Sequence, residues 1–142
     1  ITTGGLNIAT GKWETVTGVG IVKEGQYPKV WKFVDSYVGW LQYPYFQQVS
    51  PLDVYRDGKV NKIIDRDSVV HRGLFGINGH RMSAKGTSTG FLSYIGSKPW
   101  SQGCQGAPTL EFDKILGPVR EDVKRFGDLF TYTLIKSSDI IA

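Results

Sequence analysis

Leu129-Phe130-Thr131-Tyr132-Thr133-Leu134-Ile135 decides the fold class. Phe130, Tyr132 and Leu134 alternate with smaller residues, and this period of two lines up large apolar side chains on one face of an extended chain. It is the clearest strand in the sequence. Working back from it, Pro108 and Thr109 mark a helix start, and Leu110, Phe112, Ile115, Leu116 and Val119 recur at helical spacing. Pro118 is expected to interrupt that helix. A second short helical stretch then follows over 119–126, with Glu121, Asp122, Lys124 and Arg125 outward and a stop at Gly127. Asp113, Glu121 and Asp122 read as solvated charges on the helical face.

Further back the signals are again those of strands and turns. Residues 69–77 have strand composition ending at Gly79-His80, and 83–97, rich in Gly, Ser and Thr, read as a long surface loop. Residues 53–56 suit a short strand, Asp57-Gly58 a tight turn and 61–64 the return. Within 30–46, Val30, Lys32 and Val34 alternate against Trp31, Phe33 and Asp35, and Pro44 and Pro51 restrict pairing to edges or ends. Residues 25–28 look like a turn, 13–22 like one strand or a bulged pair broken at Gly18 and Gly20, and 1–10 like a polar terminal arm. The fold expected is mainly β, a sandwich with one or two short helices. It forms a single domain overall, with an arm and first strand over 1–24 and the functional unit over 25–142.

Composition agrees with a globular chain. The 142 residues are 40% hydrophobic and 21% charged, with eighteen glycines, enough for a core that buries roughly two-thirds of the extended surface. No stretch approaches the roughly 20 apolar residues that cross a bilayer as a helix, so no membrane span is expected. The chain begins at Ile1 and its only methionine is Met82, which points to a processed product or a segment of a longer polypeptide. Seventeen Lys and Arg against thirteen Asp and Glu give a net charge of +4. This suits polyanions such as nucleic acid or a bacterial wall, yet the cations are scattered, so nucleic acid is not the expected partner.

One cysteine and two histidines keep the search for chemistry short. Cys104 rules out an internal disulfide or a multi-cysteine zinc module. It lies in Trp100-Ser101-Gln102-Gly103-Cys104-Gln105-Gly106, where flanking glycines allow a tight turn that aims backbone N–H groups beside the sulfur, as acyl transfer requires. A thiol becomes a strong nucleophile as thiolate, and a neighbouring imidazole is the usual means. His80, at the end of an expected strand, is the better base; His71 lies earlier on the same segment. Taken alone, the residues favour ordinary roles: a small buried apolar cysteine and surface or hydrogen-bonded histidines. Asp57, Asn61 and Asp65 have an outline of a calcium loop, but Lys59 stands where an oxygen ligand belongs, and a hairpin turn is the simpler reading. Trp31, Trp40, Tyr43, Tyr45 and Phe46 form a sugar-stacking platform or, as we expect, core. No Walker-type glycine loop and no zinc signature is present, and neither a metal nor a cofactor is expected.

Gly73-Leu74-Phe75-Gly76-Ile77-Asn78-Gly79-His80-Arg81, followed by Trp100-Ser101-Gln102-Gly103-Cys104-Gln105, resembles a phage and bacterial group of L,D-transpeptidase-related domains, in which Ile-Asn-x-His-Arg precedes Ser-x-Gly-Cys-Gln. Val54-Tyr55-Arg56-Asp57, Asp65 and the closing Phe130-Thr131-Tyr132-Thr133-Leu134 share in the resemblance, which covers about 25–135. It implies a β-sandwich-like catalytic domain whose cysteine attacks a carbonyl of a peptidoglycan stem peptide. Carried over, Cys104 is the nucleophile, His80 the base, and the N–H groups of Gly103 and Cys104 part of an oxyanion hole. Ser101 shapes the turn, and Arg81, with Ser101, Gln102 and Gln105, lines the substrate side. Arg81 either holds a stem-peptide carboxylate or forms a structural salt bridge.

The sequence also departs from the usual pattern. Gln102 replaces the histidine of Ser-His-Gly-Cys, Gln105-Gly106-Ala107 lacks the basic residue that follows the thiol, and the His-Gly pair is His80-Arg81. These changes bear on crosslinking more than on thiol chemistry. The resemblance therefore implies a cysteine peptidase or transpeptidase of a phage particle or bacterial envelope, with peptidoglycan stems and other virion proteins as partners. The alternative is a noncatalytic virion or envelope component built on the same fold.

Overall fold

The computed structural model describes residues 2–7, 12–17, 19–37, 43–57, 69–81, 94–95, 98–99 and 103–140. Their chain order is β1 (Thr2–Asn7), β2 (Lys12–Thr17), β3 (Val19–Val22), β4 (Gly25–Val34), β5 (Tyr45–Gln48), β6 (Leu52–Asp57), β7 (His71–Leu74), β8 (Gly79–Arg81), β9 (Tyr94–Ile95), β10 (Lys98–Pro99), β11 (Gln105–Ala107), α1 (Thr109–Phe126), β12 (Leu129–Leu134) and a 3-10 turn, Ser137–Asp139. One five-stranded sheet has the order β2-β1-β7-β6-β3 and a second the order β11-β8-β5-β4-β12, while β9 and β10 form a small ribbon. The architecture is mainly β and sandwich-like, with one α-helix among the described residues.

β12 alternates as its sequence dictates: Phe130, Tyr132 and Leu134 are half-buried, while Leu129, Thr131 and Thr133 are exposed. It pairs antiparallel with β4, whose Trp31 and Phe33 share a face with Phe46 of β5. Trp31 stacks on Tyr132 with centroids 4.2 Å apart, and Phe46 meets Phe112 of α1 edge-on at 6.1 Å. Val30, Leu52 and Val54 are fully buried in the same core. Trp31, Tyr43 and Phe46 are therefore core residues, not a sugar platform; Tyr45 is half-buried and Trp40 lies outside the described residues.

Several expectations are corrected. The polar stretch expected as an arm contains β1, which pairs with β2 across its length and with β7 at its end. Backbone ladders need no apolar side chains, so composition alone hides such a strand. Residues 13–22 divide into β2 and β3, which pair with β1 and β6 respectively. Residues 25–28 open β4 instead of forming a turn. Opposite them the register slips between Phe130 and Tyr132, Lys29 adopts φ 49°, and its N–H donates to Thr131 Oγ1 at 3.3 Å. This bulge accommodates Pro28, which has no N–H for a ladder. The return expected over 61–64 and most of the 83–97 loop lie outside the described residues.

The two expected helical stretches are one helix of 18 residues that runs through Pro118. An interior proline costs about 3 kcal/mol, but packing on both sides of it holds the helix. Phe112 and Leu116 are buried before it, and Val119 and Val123 pack on the core after it. Arg120 adds a two-pronged contact to Asp35, 2.8 Å at each oxygen, and holds that carboxyl below its ordinary range. Leu110 and Ile115, expected on the apolar stripe, face solvent.

The single strand expected over 69–77 and ending at Gly79-His80 is instead β7 and β8, in different sheets. The corner between them turns at Gly76, φ 68°, and would strand its buried amides without a partner. Gln48 supplies one. Its Oε1 accepts the N–H of Phe75 at 3.0 Å and of Ile77 at 2.9 Å, while its Nε2 donates to Gly73 O at 2.9 Å and Ser50 O at 3.0 Å. A buried amide with all these positions satisfied fixes the path of the chain into β8.

Candidate active site

β8 delivers His80 to the second sheet, between β5 and the edge strand β11. Gly79 makes this approach feasible, because a Cβ there would meet the Trp31 ring at 3.2 Å and Phe46 Cβ at 3.4 Å. His80 is 7% exposed, and its Nδ1 lies 2.7 Å from the Arg81 carbonyl oxygen. A carbonyl cannot donate, so Nδ1 carries the proton in the neutral ring and Nε2 is left as an acceptor. Tyr43, 5% exposed just before β5, donates its hydroxyl to the same carbonyl at 3.1 Å and stands 3.4 Å from Nδ1. The Arg81 guanidinium lies 4.2 Å from the centre of the Tyr43 ring, and its Nη1 is 3.5 Å from Asp113 Oδ2 on α1.

Cys104 reaches the same neighbourhood through the one parallel pairing among the described strands. β11 runs beside β8 with Gln105 opposite Gly79 and Gly106 opposite His80, and the ladder opens with Gln105 N–H donating to Asn78 O at 2.8 Å. Cys104 stands just ahead of β11, two residues before the Gly106 that lies opposite His80. A strand spacing of about 4.8 Å and a rise of about 6.6 Å over two residues put the two Cα atoms about 8 Å apart. That separation lets a thiol and an imidazole lean together. The sulfur donates weakly to Gly76 O at 3.6 Å. Burial chiefly pushes the Tyr43 phenol above its ordinary range; Arg81 opposes this and the charge of Cys104 adds to it. His71 sits instead on β7 of the other sheet, paired with Val54.

The turn that carries the thiol is fixed from two sides. Gly103 has φ 141°, and a Cβ on it would lie 2.8 Å from the Gly20 carbonyl of β3, so the turn backs directly onto the first sheet. Gln105 holds it from the other side: its Nε2 donates to Gly103 O at 3.0 Å, and its Oε1 accepts from Tyr132 OH at 3.0 Å. The Gln105 amide is thus engaged within the protein, and Arg81 is engaged by Asp113 and Tyr43. Ser101 and Gln102 lie outside the described residues, as do Asn61 and Asp65 of the calcium reading. Among the described residues no cluster of three metal-ligating side chains occurs, and no helix is long and apolar enough to cross a membrane.

Gly103 and Gly76 give a paired expectation. Gly103→Ala must displace backbone and is expected to cost about 2 kcal/mol by urea denaturation. Gly76→Ala meets nothing within 4 Å and is expected to cost only about 1 kcal/mol for its left-handed conformation. Equal costs would contradict the close approach at Gly103.

Three residues escape a reading of the sequence for chemistry. Tyr43 belongs to an aromatic cluster whose obvious role is packing. Gln48 is signalled only as a polar residue on the buried face of a strand. Asn78 lies inside the quoted motif, where its side chain accepts the Gln48 N–H at 2.9 Å and so ties β5 to the entrance of β8. Compared with known proteins, the chain matches no family model, no curated protein and no solved structure.

Proposed function

We propose that the chain is a cysteine-dependent acyl-transfer enzyme of the L,D-transpeptidase-like kind, acting on peptidoglycan stem peptides. The observation that carries this reading is the His80 ring. Its Nδ1 faces the Arg81 carbonyl on the strand that pairs with the segment following Cys104, so Nε2 is the basic nitrogen of the neutral ring. In the reaction, Nε2 of His80 takes the thiol proton and the sulfur attacks the stem-peptide carbonyl. The Gly103 and Cys104 N–H groups receive the oxyanion, and the departing amine leaves with the proton returned by His80. The thioester on Cys104 then passes its acyl group to water, which gives peptidase activity, or to a second amine, which gives crosslinking. We favour hydrolysis, because opening the wall is the task expected of the phage-type group that the motifs resemble, with a phage particle or bacterial envelope as the setting.

The test is incubation of the protein with purified sacculi and soluble muropeptides, followed by chromatography and mass spectrometry. New peptide termini or new crosslinks are expected. Unchanged substrates at stoichiometric enzyme would leave the noncatalytic virion or envelope role as the better reading.

A further inference from the structure

We propose that Tyr43 is a positioning residue for His80, its hydroxyl holding the Arg81 carbonyl in the orientation that keeps the imidazole proton on Nδ1 and the lone pair on Nε2. This rests on the reading of His80 as the base for Cys104. Two donors converge on that carbonyl, His80 Nδ1 at 2.7 Å and Tyr43 OH at 3.1 Å, and a carbonyl has two lone pairs to receive them. The phenol is itself immobilised. It is buried, precedes the fully buried Pro44, and carries the Arg81 guanidinium on its ring at 4.2 Å. A cation over the face draws electron density from the ring and makes the hydroxyl a better donor.

The arrangement is circular in an informative way: Arg81 contributes its backbone oxygen to the imidazole and its side chain to the tyrosine that orients that oxygen. Asp113 steadies the guanidinium from α1 at 3.5 Å. The charged and titratable groups around the imidazole and its carbonyl are thus Tyr43, Arg81 and, through the Arg81 guanidinium, Asp113. At 2.7 Å from Nδ1 the Arg81 carbonyl stands in the orienting place that an aspartate fills in other nucleophile–base pairs.

Tyr43→Phe removes the hydroxyl and keeps the ring, the stack and the packing. Long-range proton–nitrogen correlation spectra read the His80 tautomer directly, with His71→Gln used for assignment. The wild type is expected to show one tautomer, protonated at Nδ1, and Tyr43→Phe a mixture with the Nε2-protonated form. Iodoacetamide alkylation of Cys104 at pH 7 is expected to slow by about tenfold, less than the roughly 10²–10⁴-fold that a general base contributes in full, while thermal unfolding stays near wild type. An unchanged tautomer in Tyr43→Phe would overturn the proposal. A changed tautomer with unchanged alkylation would uphold the coupling of Tyr43 to His80 but defeat the role of His80 as base. Tyr43→Leu separates packing from positioning: if the ring alone matters, only this variant alters the spectra.

Discussion

Cys104→Ser is expected to lower turnover of wall fragments by at least a thousandfold while leaving the fold intact. A serine hydroxyl holds its proton far more tightly than a thiol, and an imidazole without a strongly polarised partner shell does not release it as readily. The exchange is nearly isosteric. Cys104 is half-exposed and its contact to Gly76 O, at 3.6 Å, is weak, so stability should stay within about 0.5 kcal/mol of wild type. Circular dichroism and urea denaturation check the second part, and product formation from muropeptides checks the first. Turnover that survives in the serine variant would remove the thiol from the chemistry. Loss of turnover accompanied by unfolding is excluded by the denaturation data, and Cys104→Ala provides the variant with no nucleophile at all.

The largest expected effect on stability lies at Gln48, away from the reacting atoms. Gln48→Leu keeps the volume roughly constant and removes both the acceptor for Phe75 and Ile77 N–H and the donor to Gly73 O and Ser50 O. A buried group that loses its partner costs about 1–3 kcal/mol. Three or four such groups at one corner, partly relieved by relaxation and by the added apolar surface, come to about 4 kcal/mol. The measurement is the free energy of unfolding in urea. A loss below about 1 kcal/mol would mean that the corner between β7 and β8 does not depend on this amide. Gln48→Leu should also slow alkylation of Cys104 in the remaining native protein, because the same corner supplies Gly76 and Asn78 to the thiol's surroundings.

How much of this was legible in the sequence depended on how local the cause was. β12 and β6 were readable because alternation and turn chemistry act within a few residues, and the ends of α1 because Pro108 and Gly127 punctuate them. Pro118 misled: intrinsic cost is local, whereas the packing of Phe112, Leu116, Val119 and Val123 that offsets it is tertiary. β1 was hidden by its polar composition, and the break between β7 and β8 by the apolar run that spans it. Gln48, which makes that break stable, is distant from it in sequence. The candidate site was legible only as two residue types in a resembling motif. The parallel pairing of β8 with β11, which sets Gly106 opposite His80, is a non-local contact that no spacing rule encodes. Tyr43 could not be found at all by its chemistry, since an aromatic beside a proline reads as core until a carbonyl is seen beneath its hydroxyl.

The coupling of the Cys104 thiol to the His80 imidazole is tested most directly by the rate at which iodoacetamide alkylates Cys104 at pH 7. The comparison is between native wild type and native His80→Gln, with both proteins unfolded in urea as the control. The account predicts a rate at least tenfold lower in native His80→Gln and equal rates in the unfolded chains. Equal rates in the two native proteins would contradict it.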